Sequence, residues 1–343
     1  MAALSEIAPA LLDWFQSRAR DLPWRRGGRP RDPYRAWVAE SMLQQTRVDT
    51  VIPYYARWLA AYPDVGALAA APVDQVLAQW QGLGYYRRAR NLHAAAGMVA
   101  LSGWPHTVAG WRALPGVGPY MAAALASLCD SVDAAAVDGN ALRVLARLSG
   151  DEGAIDQPAV RLRLTRLAEA LLPPGRAGEW NEAVMDLGAL VCLPRRPRCG
   201  ECPLAAGCVA HGAGMAAGLP RRSPRKPKAV IDMPMAVAVD RDGRVCLQRR
   251  PDDGLLGGLW VFPDPARLGL DPGGGATLLS FTHVFTHRCW RIQARLHRLE
   301  KAGPDGGDLR GVRPEVVAAL ALAAPTVRLL AAAGLARPRA AHG

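Results

Sequence analysis

Four cysteines between residues 192 and 208 constrain this chain more than any other feature of its sequence. Cys192, Cys199, Cys202 and Cys208 follow the spacing C-x6-C-x2-C-x5-C, and the remaining cysteines are scattered along the chain. Zinc sites built from four cysteines usually contain two CxxC pairs, and this stretch contains one. A cubane iron–sulfur cluster needs one cysteine for each iron. The spacing alone therefore leaves a zinc site and an iron–sulfur cluster as equal alternatives.

The hydrophobic pattern divides the chain into two parts. Over residues 1–213 apolar residues recur every three or four positions, which predicts an all-helical domain. From Pro234 the period changes to two, and an Asp-Gly turn at residues 242–243 predicts a β-hairpin. Residues 290–297 alternate between apolar and polar side chains and predict a strand with a basic exposed face that includes His297. The pattern returns to helix from Pro314 to Leu330. Residues 230–336 therefore read as a smaller α+β domain.

The charge of the chain suits a polyanionic partner. With 42 Lys and Arg against 30 Asp and Glu, the net charge is +12, and most of it lies after Gly218. Nucleic acid fits this charge best, and an anionic membrane surface fits it less specifically. Residues 214–229 contain a run of Arg, Lys and Pro and predict a basic interdomain linker that lies along phosphates. The alternative for this segment is a solvated tether.

Several classes of protein are excluded by composition. Half of the residues are hydrophobic, too many for a disordered chain, and no apolar run approaches the roughly 18 residues that span a bilayer. Acidic residues at Glu6 and Asp13 make the N-terminus an expected amphipathic helix rather than a signal peptide. We expect a cytoplasmic monomer that does not bind membranes.

Two motifs resemble the endonuclease III superfamily of DNA glycosylases. The cysteine spacing, following a helix that ends in G-A-L-V-C at residues 188–192, resembles the loop that holds a 4Fe-4S cluster in that superfamily. The resemblance implies one 4Fe-4S cluster on the four cysteines, with the arginines at 195, 196 and 198 facing phosphate. The run L-P-G-V-G-P-Y at residues 114–120 resembles the helix-hairpin-helix, between helices predicted at 108–113 and 120–129. Its Gly116, Val117 and Gly118 are then expected to hold the DNA backbone through N–H groups.

Three further motifs narrow the resemblance to adenine DNA glycosylases. W-V-A-E-S-M-L-Q-Q-T from residue 37, G-L-G-Y-Y from residue 82 and V-D-G-N from residue 137 stand in that family's order. The resemblance makes Glu40 and Asp138 the catalytic carboxylates. Taken alone, a glutamate on a helix is usually solvated, and Asp138 also reads as the N-cap of a helix beginning near Ala141.

The chemistry of base excision requires such a pair. Breaking an N-glycosidic bond leaves an oxocarbenium-like sugar and an anionic base, so one acid protonates the base while one carboxylate faces the cation. We assign Glu40 to protonate N7 of adenine, with its pKa raised by burial, and Asp138 to stabilise or attack C1′. Bifunctional relatives carry a lysine where this chain has Tyr120, so we expect a monofunctional enzyme that leaves an abasic site. Tyr120 is expected to hydrogen-bond Asp138 or Glu40.

The resemblance also implies an adenine pocket and a wedge. An enzyme that acts on a paired base must flip it out of the duplex, and another group fills the gap. The expected pocket residues are Trp24, Arg25, Asn140 and Glu182. The expected wedge is Tyr85 with Gln45, although a core tyrosine is the alternative for Tyr85, and a packing tryptophan for Trp24.

The second domain resembles, more faintly, the Nudix-hydrolase-like domain of adenine glycosylases. Glutamates after Pro234 are limited to Glu300 and Glu315, too few for the magnesium site of a Nudix hydrolase. The loop Phe285, Thr286 and His287 is expected to recognise 8-oxoguanine, with Thr286 in place of the family's serine. The expected substrate is double-stranded DNA containing A:8-oxoguanine or A:G mispairs. The alternatives are a bifunctional pyrimidine-damage glycosylase, a non-catalytic lesion-binding protein and a Nudix phosphohydrolase.

Overall fold

A computed structural model describes residues 4–224, 227–317 and 319–335. The chain divides into two compact units, Met1–Ala69 with Ala94–Arg225 and Ala70–His93 with Lys226–Gly343. The first unit is helical and the second contains the sheet, as the change of hydrophobic period predicts. Residues 70–93 lie within the predicted helical domain of residues 1–213 but belong to the second unit.

The helices come first along the chain. Within the described residues they are α1 (Leu4–Arg18), α2 (Pro33–Leu43), α3 (Val48–Ala61), α4 (Val65–Ala70), α5 (Val73–Gln79), α6 (Arg87–Ser102), α7 (Val108–Arg112), α8 (Pro119–Cys129), α9 (Gly139–Ser149), α10 (Pro158–Ala170), α11 (Ala177–Leu190), α12 (Val209–Gly212), α13 (Pro314–Val317) and α14 (Ala324–Ala332). Short 3₁₀ turns lie at Pro23–Arg25, Cys199–Glu201, Ala205–Gly207 and Pro265–Leu268. The predicted helices at 108–113 and 120–129 are thus present.

Helix α9 is the centre of the helical unit. It packs against α10, α11 and α12, and residues 141–148 are all buried, including Arg143 and Arg147. Its first turn is capped by Asp138, and Gly150 ends it in the left-handed conformation with φ of 71°. Both ends are therefore fixed by the sequence, because a short polar cap and a C-terminal glycine satisfy the free backbone groups of a helix.

The sheet of the second unit has the order β3-β2-β1-β5-β4, with β6 paired to β2. Its strands are β1 (Ala229–Val239), β2 (Val245–Arg249), β3 (Trp260–Val261), β4 (Ala276–Val284), β5 (Arg288–Arg298) and β6 (Leu309–Val312). Strands β1 and β5 run parallel along their whole length, and β4 and β5 form an antiparallel hairpin. Strands β1 and β2 pair across the Asp-Gly turn, which confirms the predicted hairpin.

The return to helix predicted from Pro314 to Leu330 is confirmed in part: it consists of two short helices, α13 and α14, separated by residues that carry an isolated bridge between Leu322 and Trp260. One prediction for the second unit is wrong. His297 was expected on the exposed face of its strand but is 7% exposed. The glycine-rich segment at 273–275 covers it, because Gly275 lies against the His297 ring.

The start of the predicted linker is folded onto the helical unit. The backbone N–H of Ser223 donates to Asp156 at 2.9 Å, and the backbone N–H of Ile155 donates to the carbonyl oxygen of Arg221 at 3.0 Å. Arg221 also pairs with Glu152. The basic run therefore begins within an ordered segment, and residues 225 and 226 of that run lie outside the described residues. The described helices include none that is long and apolar enough to cross a membrane.

Candidate active site

Glu40 is a charged residue buried in an apolar helix. It is 8% exposed and lies in α2 near Trp37, Val38 and Met42, which are at most 1% exposed. A buried carboxyl group needs a hydrogen-bonding partner, because leaving it without one costs free energy. Tyr120, in the first turn of α8, donates its hydroxyl to Glu40 Oε2 at 2.8 Å. This confirms the predicted contact of Tyr120 with one of the two carboxylates.

The surroundings of Glu40 make it an acid near neutral pH. Burial raises its pKa from 4.5 to about 7, and repulsion from Asp138 and Glu182 adds to the rise. The hydrogen bond from Tyr120 and the charge of Arg25 lower the pKa. A carboxyl group with this pKa can both give a proton to a bound group and take one back at neutral pH. Burial and the nearby Glu40 raise the pKa of Tyr120 well above 10, so its hydroxyl stays a neutral donor.

Asp138 lies in a different environment, at the N-terminus of α9. Its Oδ1 accepts the backbone N–H of Ala141 at 2.7 Å, which confirms the predicted N-cap. Burial raises the pKa of Asp138, and hydrogen bonds from the backbone N–H groups of Ala141 and Asn140 oppose the rise. Those N–H groups and the helix dipole favour the carboxylate form. The two carboxyl groups are thus held by different partners, Glu40 by a side-chain hydroxyl and Asp138 by backbone N–H groups.

Glu182 is surrounded by three arginines. It lies on α11, is 5% exposed, and pairs with Arg25 at 3.1 Å, with Arg31 at 3.1 Å and with Arg29. Arg25 also acts on Glu40, whose pKa it lowers. The structure therefore brings together two of the predicted pocket residues, Arg25 and Glu182, and links them electrostatically to the buried acid.

One turn further along α11, Asp186 forms a second ion-pair centre, which was not predicted from the sequence. Asp186 is fully buried and pairs with Arg20 at 2.6 Å and with Arg25 at 2.7 Å. Glu182 and Asp186 are four residues apart and so lie on the same face of α11. This spacing is the sequence signal that could have indicated that the two carboxylates share arginine partners. Because Arg25 contacts both Glu182 and Asp186, its guanidinium is held in a fixed orientation.

The other two predicted pocket residues have structural partners. Trp24 is 9% exposed and packs edge-on against Tyr55, with ring centroids 5.5 Å apart. Asn140 Oδ1 accepts a hydrogen bond from Arg143 at 2.9 Å, and Arg143 also donates to the carbonyl oxygen of Cys192 at 2.7 Å. Any contact of these two side chains with adenine stays a prediction.

The turn before α8 has the geometry of an anion-binding site formed by backbone N–H groups. Gly116 has φ of 81°, and the N–H of Val117 donates to the carbonyl oxygen of Leu114 at 3.1 Å. Gly118 is the N-cap of α8, no side chain caps that end, and a Cβ added there would meet nothing within 4 Å. Pro119 opens the helix, as expected for its first turn. The helix N-terminus is therefore open to an approaching anion such as phosphate.

The four clustered cysteines line one cavity. Arg147, a buried residue of α9, donates to Cys192 Sγ at 3.2 Å and to the carbonyl oxygen of Leu193 at 2.7 Å. Within the described ranges no three His, Cys, Asp or Glu side chains are placed to hold a single metal ion. A cubane cluster differs, because its irons surround a shared core and each takes one thiolate. The donor set of four thiols around one cavity therefore fits an iron–sulfur cluster.

Both residues predicted as a wedge are exposed and have an unusual backbone. Gln45 follows α2 with φ of 57°, and Tyr85 has φ of 48° between Gly82 and Gly84. Positive φ in a residue other than glycine is strained and concentrates at functional sites. Tyr85 is 49% exposed, and its hydroxyl lies 3.0 Å from Thr286 Oγ1.

Thr286 is at the tip of the β4–β5 hairpin. The N–H of Phe285 donates to the carbonyl oxygen of Arg288 at 2.8 Å, which closes the turn. The Phe285 ring packs edge-on against His283 and Trp290, with centroids 4.6 and 4.9 Å away. Thr286 and His287 are exposed. Phe285 therefore anchors the turn and leaves the other two predicted recognition residues facing outward.

Family models match three consecutive parts of the chain. Residues 38–170 match HhH-GPD superfamily base excision DNA repair proteins, and residues 192–208 match the iron-sulfur binding domain of endonuclease III. Residues 235–332 match the NUDIX domain. The chain thus combines a helix-hairpin-helix glycosylase domain, an iron–sulfur binding domain of endonuclease III type and a Nudix-like domain.

Individual relatives agree with these models. The adenine DNA glycosylase of Mycolicibacterium smegmatis is 41% identical over 219 residues, covering 62% of this chain and 72% of the relative. The mouse and human adenine DNA glycosylases are 36% and 35% identical over 77% of this chain. The chain spans 61% and 58% of their lengths.

Solved structures agree at the level of the fold. A thermostable thymine-DNA glycosylase aligns with a TM-score of 0.55 and 28% identity over 61% of this chain and 97% of its own. Endonuclease III in a non-covalent DNA complex aligns with a TM-score of 0.51 and 22% identity, over 63% of this chain and 99% of its own. From the match to the mycobacterial relative and the three family models, this chain belongs to the adenine DNA glycosylase family.

Proposed function

We propose that this protein removes adenine from DNA where it is mispaired with 8-oxoguanine or guanine, and that it hydrolyses the N-glycosidic bond without cutting the strand. The observation that carries the proposal is the pair Glu40 and Asp138. Glu40 is buried, accepts a hydrogen bond from Tyr120 and has a pKa raised to about 7, while Asp138 is held by backbone N–H groups.

The two carboxyl groups divide the reaction between them. Protonated Glu40 gives its proton to N7 of the flipped adenine, and the C1′–N9 bond then breaks with its electron pair going to the base. The carboxylate of Asp138 stabilises the cationic sugar. Water adds to C1′, and the proton it loses returns to Glu40. Arg25, which pairs with Glu182 and Asp186, adds a positive charge that lowers the pKa of Glu40.

The sequence supports hydrolysis without strand cleavage. A glycosylase that also cleaves the strand uses an amine to form a Schiff base with the sugar. Tyr120 stands where bifunctional relatives carry that lysine, and no lysine occurs anywhere before Lys226. The helical unit therefore offers no lysine amine near the reacting carbon.

DNA binding is expected to use two features of the helical unit. The open N-terminus of α8 suits a backbone phosphate. Arg195, Arg196 and Arg198 are exposed within the first loop of the cysteine cluster and can contact further phosphates. When bound, the iron–sulfur cluster would hold that loop in a fixed shape through Cys192, Cys199, Cys202 and Cys208.

Recognition of 8-oxoguanine is proposed for the exposed tip of the β4–β5 hairpin. The Thr286 hydroxyl can accept a hydrogen bond from N7–H, which 8-oxoguanine has and guanine lacks. The hydroxyl of the exposed Tyr85 lies 3.0 Å from Thr286 Oγ1, and its aromatic ring can stack in the duplex.

A labelled duplex with one A opposite 8-oxoguanine tests the proposal. The protein should release adenine, and the strand should break only after hot alkali. Release of a damaged pyrimidine with the A:8-oxoguanine duplex left intact would contradict the substrate. Strand cleavage without alkali, together with a covalent adduct trapped by borohydride, would contradict the monofunctional mechanism.

A further inference from the structure

The glycine-rich loop before β3 has no role in the mechanism above. It runs P-D-D-G-L-L-G-G-L over residues 251–259 and has three positive φ angles, at Gly254 (85°), Leu256 (58°) and Gly258 (67°). A Cβ at Gly257 would lie 2.4 Å from the carbonyl oxygen of Asp252, so the loop is folded tightly on itself. Glycine adopts positive φ readily, so the strained residue in this loop is Leu256, and strain of this kind persists where the surrounding structure holds it.

The loop binds the guanidinium of Arg90, a residue of α6 in the same compact unit. Arg90 Nη2 donates to the carbonyl oxygen of Gly257, and Nη1 lies 3.9 Å from the Asp252 carboxylate. A Cβ at Gly258 would lie 2.4 Å from Arg90 Nη1. Glycine at 258 therefore permits both the positive φ and the close approach of the guanidinium. We call residues 252–258 the arginine cradle.

The cradle belongs to a set of contacts that hold the segment carrying Tyr85. Asp252 also pairs with Arg249 at 3.2 Å, and Arg249 lies 3.8 Å from Asp74 at the start of α5. Tyr86 donates its hydroxyl to the carbonyl oxygen of Leu322 at 3.2 Å. The segment is thus held on both sides of Tyr85.

We propose that Arg90 is a positioning residue for recognition of the base opposite adenine. By docking in the arginine cradle it keeps Tyr85 beside Thr286, so that the wedge and the recognition hairpin meet DNA as one preformed surface. The expected effect of Arg90 on excision rests on the proposed function, whereas the docking of Arg90 is a property of the free protein. Pre-forming the surface removes the cost of ordering it on binding.

Hydrogen–deuterium exchange on the free holoprotein tests the docking directly. Arg90→Met should speed exchange in residues 82–90 by about 10-fold, because a charge-assisted hydrogen bond contributes at least that factor. Exchange in α8 should be unchanged. Arg87→Met, which removes the same charge from an exposed position on the same helix, is the matched control. Unchanged exchange in Arg90→Met, or equal acceleration in the control, would overturn the proposal.

Single-turnover excision tests the consequence. Arg90→Met should lower the ratio of excision rates for A:8-oxoguanine over A:G by about 10-fold, and adding Thr286→Val should lower it little further, since both act on one surface. Equal loss on both duplexes would indicate a merely structural role and overturn the proposal.

The two experiments separate this proposal from the proposed function. A wild-type protein without preference for 8-oxoguanine would refute the recognition function, and the exchange measurement would still decide whether Arg90 docks. If Arg90→Met does not fold, Gly258→Ala applies the same two measurements, because its added Cβ displaces Nη1.

Discussion

Replacing Tyr120 by phenylalanine should move the pH dependence of excision upward. The Tyr120 hydroxyl donates to Glu40 at 2.8 Å and favours the carboxylate, so it lowers a pKa that burial raises to about 7. A hydrogen bond to a charged group contributes about 1.5 to 3 kcal/mol, and one pH unit corresponds to about 1.36 kcal/mol. Tyr120→Phe should therefore raise the pKa of Glu40 by about 1 to 2 pH units.

The assay is single-turnover excision with enzyme in excess, from pH 5.5 to 9.5. Because the acid must be protonated, the wild-type rate should fall on the alkaline side of about pH 7. In Tyr120→Phe this fall should begin at higher pH, so the ratio of variant to wild-type rate should grow about 10-fold between pH 6 and pH 9. A fall that stays in place or moves to lower pH would refute the assigned contact.

Three further predictions follow from the site and the second unit. The pKa of Glu40 is raised from 4.5 to about 7 by burial, so the stability that its protonated form contributes is lost as pH rises through about 7. Because glutamine carries no charge at that position, Glu40→Gln should increase the free energy of unfolding by about 3 kcal/mol at pH 8 and by less toward pH 5, as measured by urea denaturation. Thr286→Val should reduce the ratio of excision rates for A:8-oxoguanine over A:G by about 10-fold, whereas Thr286→Ser should keep that ratio. The same ratio in both variants would show that the Thr286 hydroxyl does not take part in recognition. Arg147→Met should speed the loss of iron–sulfur absorbance in air relative to the exposed Arg195→Met, because Arg147 contacts Cys192 Sγ, and equal rates would contradict that stabilising role.

The arrangement of the candidate active site could largely be predicted because its residues belong to contiguous motifs. Glu40, Tyr120 and Asp138 each lie in a short run whose local structure follows from its own sequence, such as the cap of α9 by Asp138. The arginines around Glu182 and Asp186 were not predicted, apart from Arg25. They join segments more than 150 residues apart, and no local pattern indicates which arginine reaches which carboxylate.

The second unit was predicted less well for the same reason. The alternation of apolar and polar side chains predicted strands, and an Asp-Gly pair predicted the turn between β1 and β2. The helical stretch predicted from Pro314 to Leu330 is present but interrupted between α13 and α14, where Leu322 bridges to Trp260, a tertiary pairing that overrides local helical preference. The assignment of residues 70–93 to the second unit depends on contacts such as Arg90 with Gly257, which periodicity does not report.

Release of adenine by wild type and by Glu40→Gln tests the central claim most directly. Both proteins would first be shown to bind the A:8-oxoguanine duplex with equal affinity, and single-turnover release of the free base would then be measured for each. Loss of the general acid should slow release by about 10²- to 10⁴-fold without weakening binding. Release by Glu40→Gln at the wild-type rate would contradict the claim that this buried carboxyl group protonates the departing adenine.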